Sequence, residues 1–283
     1  GEEDCGWILI EEAEDLRNYI LSEGYNVERI YNHSGNWAAG PQIWRNGSTP
    51  LPPELTVAGD PPNGIPGFPW TGDHTDIVNA FNAGRFLISY RGHGGRAGWG
   101  NPDFHTWDFG GLTNANTYPI IFGLTCQTGW FDNETDHADL NTNTDCFAEQ
   151  IIRLNNSGAV AIIASARNSW GVANNPSTKG MFDALWPDFD ATISSGRLLK
   201  MGQINTYSKV YMANHLGAGD PRHISFEMQN LFGDPEMTAW TEEPGNLSVN
   251  HPVGIGATGE QDFIVTVTDQ ASADPVPNAS VTL

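Results

Sequence analysis

Three short apolar runs stand out in the middle of the chain: Phe86-Leu87-Ile88-Ser89-Tyr90, Tyr118 to Thr125, and Gly158 to Ser165. Runs of this length, separated by crossover-length segments, read as buried parallel strands. The segments around them carry helical spacing. Glu11 to Glu23 places Leu16, Tyr19 and Ile20 on one side, and Gly24 suits the helix end. Asp73 to Ala83 repeats the pattern with Ile77, Val78 and Phe81, and Cys146 to Leu154 with Phe147, Ile151 and Leu154. Further helices are predicted over Thr178–Trp186 and Leu198–Asn214. Tyr25 to Tyr31 alternates and reads as a strand. Trp7 to Ile10 fits either a short strand or the first turn of the helix. Residues 32–72 and 94–117 read as long loops, pinned by aromatic residues. Asn230 to Met237 reads as a turn entering a final short strand.

Near Glu242-Glu243-Pro244-Gly245 the texture changes to short β runs: Asn246 to Val249, Phe263 to Val267 and Ser280 to Leu283. Their spacing suits a β-sandwich. The expected organisation is an α/β domain over 1–241 and the start of a sandwich over 242–283. Three strands leave exposed sheet edges and little core, so the polypeptide is expected to continue beyond Leu283.

The strand ends carry the candidate chemistry. The first run is followed by Arg91-Gly92-His93-Gly94-Gly95, and the second by Cys126-Gln127-Thr128-Gly129. In an open parallel sheet, the loops at the strands' carboxyl ends line the ligand crevice. His93 and Cys126 would then meet at one sheet edge. A thiol nucleophile needs an imidazole and donors for a tetrahedral oxyanion. His93 would supply the first, and the N–H groups of Gly94 and Cys126 the second. The plainer alternatives are a buried, inert cysteine and a loop histidine.

Charge and cysteine content narrow the classes. The net charge is −21, from 13 basic and 34 acidic residues. That balance argues against nucleic acid and anionic membranes as partners, since both need clustered Lys and Arg. No apolar run is long enough to span a membrane. The three cysteines (Cys5, Cys126, Cys146) leave at least one thiol free, and no CxxC or Cys/His cluster has zinc spacing. Scarce Lys with abundant Gly, Asn and Trp suits a loop-rich extracellular protein. The chain opens on Gly-Glu-Glu-Asp-Cys, without a leader. Trp37, Trp44, Trp70, Trp99 and Trp107 would either stack on sugar rings or anchor their loops. Triplets such as Asn32-His33-Ser34 and Asn133-Glu134-Thr135 decide nothing in an Asn-rich chain.

An ordered series of residues resembles the gingipain-type cysteine peptidases of the caspase-like clan. It runs through Asp76 to Gly84, Tyr90-Arg91-Gly92-His93-Gly94, Trp99, Leu112-Thr113-Asn114, the Cys126 strand and Cys146-Phe147-Ala148-Glu149. It continues through Gly158 to Ser165 and Ser169-Trp170 to Phe232-Gly233-Asp234-Pro235. The resemblance covers most of residues 11–240. It implies a caspase-like α/β fold, mostly parallel with helices on both faces, followed by an Ig-like module. It also implies a secreted or cell-surface endopeptidase acting on proteins or peptides. Cys126 would be the nucleophile and His93 the general acid/base. Ser169 and Trp170 would line the primary specificity pocket, and Cys146 would be structural. No cofactor is implied for the chemistry. A structural Ca²⁺ is implied, with the Asp/Asn-rich stretch 132–145 as its candidate site beside the plainer reading of a solvated loop.

Two departures follow from the same resemblance. The carboxylate that orients the family's histidine would fall at Glu2 or Glu3, or upstream, together with a strand from the interior of the sheet. The pocket acid of Arg- and Lys-specific members would fall at Glu11 or Glu12, in a poorly matching region. A transpeptidase of the same family, and an inactive adhesion or carbohydrate-binding module, are the alternative functions.

Overall fold

The computed structural model describes residues 5–32, 49–132, 145–193, 196–241, 245–254, 259, 262–277 and 279, with side chains from residue 9 onward. The chain forms two compact units, 1–239 and 240–283.

The larger unit is built on a four-stranded sheet. Its strands are β1 (Leu87–Ser89), β5 (Ile120–Gly123), β6 (Ala161–Ser165) and β7 (Gln229–Phe232), in the order β1-β5-β6-β7. The first three are parallel, with Ser89 opposite Phe122 and Phe122 opposite Ile163; β7 is antiparallel to β6. All three apolar runs become parallel strands, but the first is not buried as expected: β1 lies at the edge of the sheet, with Leu87 and Ile88 half-buried and Ser89 exposed. Every residue of β5 and β6 is buried. The pleat sends alternate residues to opposite faces. Ile120, Phe122, Leu124 and Ile163 join one core with helices α1 (Cys5–Ser22), α4 (Gly171–Leu185) and α5 (Met201–His215). Ile121, Ile162 and Ala164 join the other with α2 (His74–Asn82) and α3 (Phe147–Ile152). The sheet is mostly parallel with helices on both faces.

Between β1 and β5 the chain makes a small antiparallel sheet of β2 (Gly94–Gly95), β3 (Gly98–Trp99) and β4 (Phe104–His105). The sequence reads as loop here because each strand is two residues long. The sheet exists because Trp99 and Phe104 are wholly buried, with Trp99 stacked on Tyr90 at 4.3 Å. Trp70 is likewise an anchor, buried with its indole N–H donated to the Leu55 carbonyl at 2.7 Å. Trp107 is exposed.

The structure revises several other expectations. Tyr25 to Tyr31 forms no ladder: it faces the outer edge of β1 across a cleft of roughly 230 Å³ lined by both segments and by α1. Alternation alone makes an extended chain; a strand also needs a hydrogen-bonding neighbour. Trp7 to Ile10 is helical, within α1. Helix α4 begins at Gly171, seven residues before the predicted start, with Pro176 inside it. Burial of Ala173, Ser177, Thr178 and Met181 offsets the one backbone hydrogen bond that proline cannot make. A further helix, α6 (Asp220–Met228), was not anticipated. Strand β7 precedes the Gly233-Asp234-Pro235 turn rather than following it.

The smaller unit pairs β8 (Leu247–Asn250) with β9 (Thr266–Asp269) antiparallel. The third predicted run, Ser280 to Leu283, lies outside the described residues. So do Glu2, Glu3, Trp37, Trp44, the Asn133 triplet and residues 133–144 of the acidic loop. Among the described residues no helix is long and apolar enough to cross a membrane.

Candidate active site

His93 and Cys126 leave the same sheet edge. His93 follows β1 by four residues and Cys126 follows β5 by three, on neighbouring parallel strands. The two loops touch. The Thr125 hydroxyl donates to the Gly92 carbonyl at 2.7 Å. A Cβ placed on Gly94 would lie 2.6 Å from the Thr125 methyl and 3.0 Å from the Cys126 carbonyl oxygen. Only a residue without a side chain allows that approach.

Each loop is held from behind. The Tyr90 hydroxyl donates to the His93 carbonyl at 2.7 Å, and the Gly100 amide donates to the same oxygen at 2.8 Å. The imidazole itself is exposed. Among the described residues it has no hydrogen bond to Cys126 or to a carboxylate. The first turn of α3 ties the loops together, since the Phe147 amide donates to the Arg96 carbonyl and the Ala148 amide to Thr128.

The Cys126 thiol is half-buried against Ser169. The Ser169 amide donates to Sγ at 3.4 Å, its carbonyl lies 3.6 Å from Sγ, and its hydroxyl 4.0 Å. Ser169 is fixed in turn by the Asn174 side-chain amide, whose Nδ2 donates to its hydroxyl at 2.7 Å. Trp170 stands exposed beside it at the start of α4. The structure thus brings Ser169 to the thiol.

The backbone around the thiol is strained. Gln127, the next residue, has φ +63°, in the left-handed region that side chains avoid. Its amide donates to Arg167 and its side chain to Asn168, and these hold the turn. The Cys126 amide has no acceptor among the described residues. The Gly100-to-His93 bond makes those two residues the hydrogen-bonded pair, so Gly94 opposite Trp99 is the non-bonded pair. Its N–H therefore points away from β3.

Cys146 differs in every respect. It is wholly buried at the N-cap of α3, and burial pushes its thiol up to about 12. That suits a structural residue and not a nucleophile.

Sequence reasoning missed Arg91. Its guanidinium, with the side chain 3% exposed, donates to Glu12 at 3.1 Å, to the Leu124 carbonyl at 2.8 Å and to Asn175. The available signal was a lone arginine directly after a buried strand, where an interior partner is required. Glu12 is therefore engaged within the chain, while Glu11 is exposed. Both border a cleft of roughly 320 Å³ with Asp15, Asn175, Lys179 and His215.

Burial pushes the Glu12 carboxyl up to about 7, against Arg91, which pulls it down. Its second oxygen has no hydrogen-bond partner. Between pH 4.5 and 7 the folded chain holds a proton that the unfolded chain has lost, so stability falls as pH rises. Chemical denaturation across this window should show the wild type losing stability relative to Glu12→Gln as the pH rises, on the order of 1 kcal/mol per pH unit. A parallel pH dependence in the two proteins would refute this.

Asp132 and Asp145 flank the acidic loop, and each pairs with an arginine, Arg167 and Arg153 respectively. Among the described residues no group of three or more His, Cys, Asp or Glu side chains is arranged to hold a metal ion.

A thiol and an imidazole therefore stand on adjoining loops at the carboxyl edge of a mostly parallel sheet. The model of peptidase family C25 matches residues 3–240, and the chain belongs to that family. Gingipain R1 of Porphyromonas gingivalis is 39% identical over 187 residues, covering 65% of this chain and 17% of the relative. Gingipain R2 of the same organism (strain W83) is 28% identical over 189 residues, covering 65% and 24%. The crystal structure of the Arg-specific cysteine proteinase gingipain R (RgpB) superposes with a TM-score of 0.56 at 26% identity, covering 69% of this chain and 42% of that one. The chain thus spans less than a quarter of the length of these curated relatives. Its α/β fold is that of the gingipain structures.

Proposed function

We propose that this chain carries the catalytic machinery of a secreted or cell-surface cysteine endopeptidase. The observation that supports it most directly is the placement of Cys126: half-buried, at the carboxyl end of β5, within contact of the His93-Gly94 loop. The Cys126 thiol gives its proton to His93, and Sγ attacks the scissile carbonyl carbon. The Gly94 and Cys126 N–H groups receive the oxyanion. His93 then protonates the leaving amine as the C–N bond breaks, which leaves a thioester on Cys126. Water, deprotonated by His93, attacks the thioester, and the proton returns to the departing sulfur. The substrate side chain before the scissile bond lies against Ser169 and Trp170. The substrate is a protein or peptide. The chemistry requires no metal, and any Ca²⁺ in the 132–145 stretch would be structural.

Iodoacetamide labelling, followed by mass spectrometry between pH 5 and 9, tests this reading. The thiolate is the reactive form, and an unassisted thiol labels slowly near pH 6. Cys126 should label at pH 6 at least about 10-fold faster in wild type than in His93→Ala, and Cys146 should stay unlabelled until the protein unfolds. Slow labelling of Cys126 in folded wild type, or equal rates in the two proteins, would overturn the assignment.

A further inference from the structure

We propose that Arg91 is the positioning residue that sets His93 and Cys126 relative to each other; this rests on the catalytic reading above. The β1–β5 ladder ends with the Tyr90 amide donating to the Phe122 carbonyl at 2.9 Å. The candidate residues come three and four positions further along their strands. Two bonds then take over from the ladder. One joins Thr125 to Gly92, and the other runs from the Arg91 guanidinium to the Leu124 carbonyl. Arg91 lies two residues before His93, and Leu124 two residues before Cys126.

The guanidinium is itself fixed on two further sides. Glu12 holds it from α1 and Asn175 from α4, the helix that starts directly after Ser169-Trp170. The Asn174 side-chain amide donates through Nδ2 to both the Leu124 carbonyl, at 3.2 Å, and the Ser169 hydroxyl, at 2.7 Å. One connected set of hydrogen bonds therefore runs from Glu12 through Arg91, Leu124, Asn174 and Ser169 to the Cys126 sulfur. A planar fork with donors in several directions suits this junction; a lysine ammonium does not reproduce it. The buried Arg91 guanidinium bonds to Glu12, the Leu124 carbonyl and Asn175 and not to the thiol, so its effect on catalysis is through position.

The test pairs Arg91→Lys with the double variant Glu12→Gln/Arg91→Met. The double variant leaves no unpaired buried charge and so guards against simple unfolding. Folding is followed by circular dichroism, turnover with fluorescein-labelled casein, and thiol placement by iodoacetamide labelling at pH 6. In folded protein, both variants should lose about 100-fold in kcat, as expected for displacement of reacting groups by about 1 Å. KM should change less than about 3-fold, because the surface that contacts substrate is retained. Cys126 labelling should slow in parallel, and methylguanidinium should restore kcat to Arg91→Gly. Folded variants with wild-type kcat and labelling would overturn the positioning role while leaving the dyad intact. If neither variant folds, then failure of methylguanidinium to restore activity to Arg91→Gly would mark Arg91 as structural only. Wild type without His93-dependent labelling would remove the catalytic reading, and this inference with it.

Discussion

Cys126→Ala should abolish casein cleavage, on the order of 10⁴-fold or more in kcat, with no loss of fold. The large effect follows from its role: the sulfur forms the covalent bond, and no neighbouring group can replace it. The Ser169 hydroxyl lies 4.0 Å from the sulfur and accepts from the Asn174 side-chain amide, so it is held where it is rather than at the sulfur's position. The fold should survive because Cys126 is only half-buried and lies outside both cores. Cys146→Ala should show the reverse. It removes a wholly buried side chain from the core under α3, which should cost roughly 1–2 kcal/mol of stability while cleavage persists. Thermal unfolding and casein turnover, measured on both variants, separate the two thiols. Full activity in Cys126→Ala, or complete inactivity of a folded Cys146→Ala, would reverse the assignment.

Gly94→Ala should cost about 100-fold in kcat, and Gly95→Ala almost nothing. A methyl on Gly94 would sit 2.6 Å from Thr125 Cγ2, 2.7 Å from its hydroxyl and 3.0 Å from the Cys126 carbonyl. One of those atoms is backbone of the nucleophile itself, so the loops must separate. The Thr125-to-Gly92 bond and the proposed oxyanion donors move with them. A Cβ on Gly95 meets nothing within 4 Å, so the neighbouring glycine is an internal control. Overpacking at Gly94 should also destabilise the fold by about 1–3 kcal/mol. Equal kcat values for the two variants would show that close approach of these loops is not needed for turnover.

Much of the fold was legible in the residues. Tyr118 to Thr125 and Gly158 to Ser165 read as buried parallel strands because both faces of the sheet are covered along β5 and β6, so no polar alternation interrupts them. Phe86 to Tyr90 also forms a parallel strand, but β1 is the sheet's edge and is only partly buried. The helices around α2 and α3 were legible from apolar spacing. The elements that escaped notice depend on distant partners. Strands β2 to β4 are two residues each and exist because Trp99 and Phe104 fill one core. Helix α4 begins among residues with poor helical signals, Gly171-Val172-Ala173-Asn174-Asn175-Pro176, because packing against α5 and α1 holds it. Tyr25 to Tyr31 shows the opposite error, a strand-like pattern with no strand beside it.

For the site, the sequence alone determined the reactive types and their places at strand ends: a thiol at Cys126, an imidazole at His93, and glycine where two backbones must meet at Gly94. These are local properties, carried by apolar runs that stop abruptly at chemistry-bearing residues. The tertiary structure alone decided what surrounds them. Ser169 lies against the sulfur because β6 pairs in parallel beside β5 and ends four residues before Ser169, at the carboxyl edge that Cys126 leaves, although the two residues are forty-three apart in the chain. Gln127 adopts a positive φ because Arg167 and Asn168 hold it there. Glu12, Arg91 and Asn175 meet across seventy-nine and eighty-four residues, and their order along the chain gives no hint of it. A hydrogen bond depends on the position of both partners in space, and a linear pattern states only what each partner is able to donate or accept.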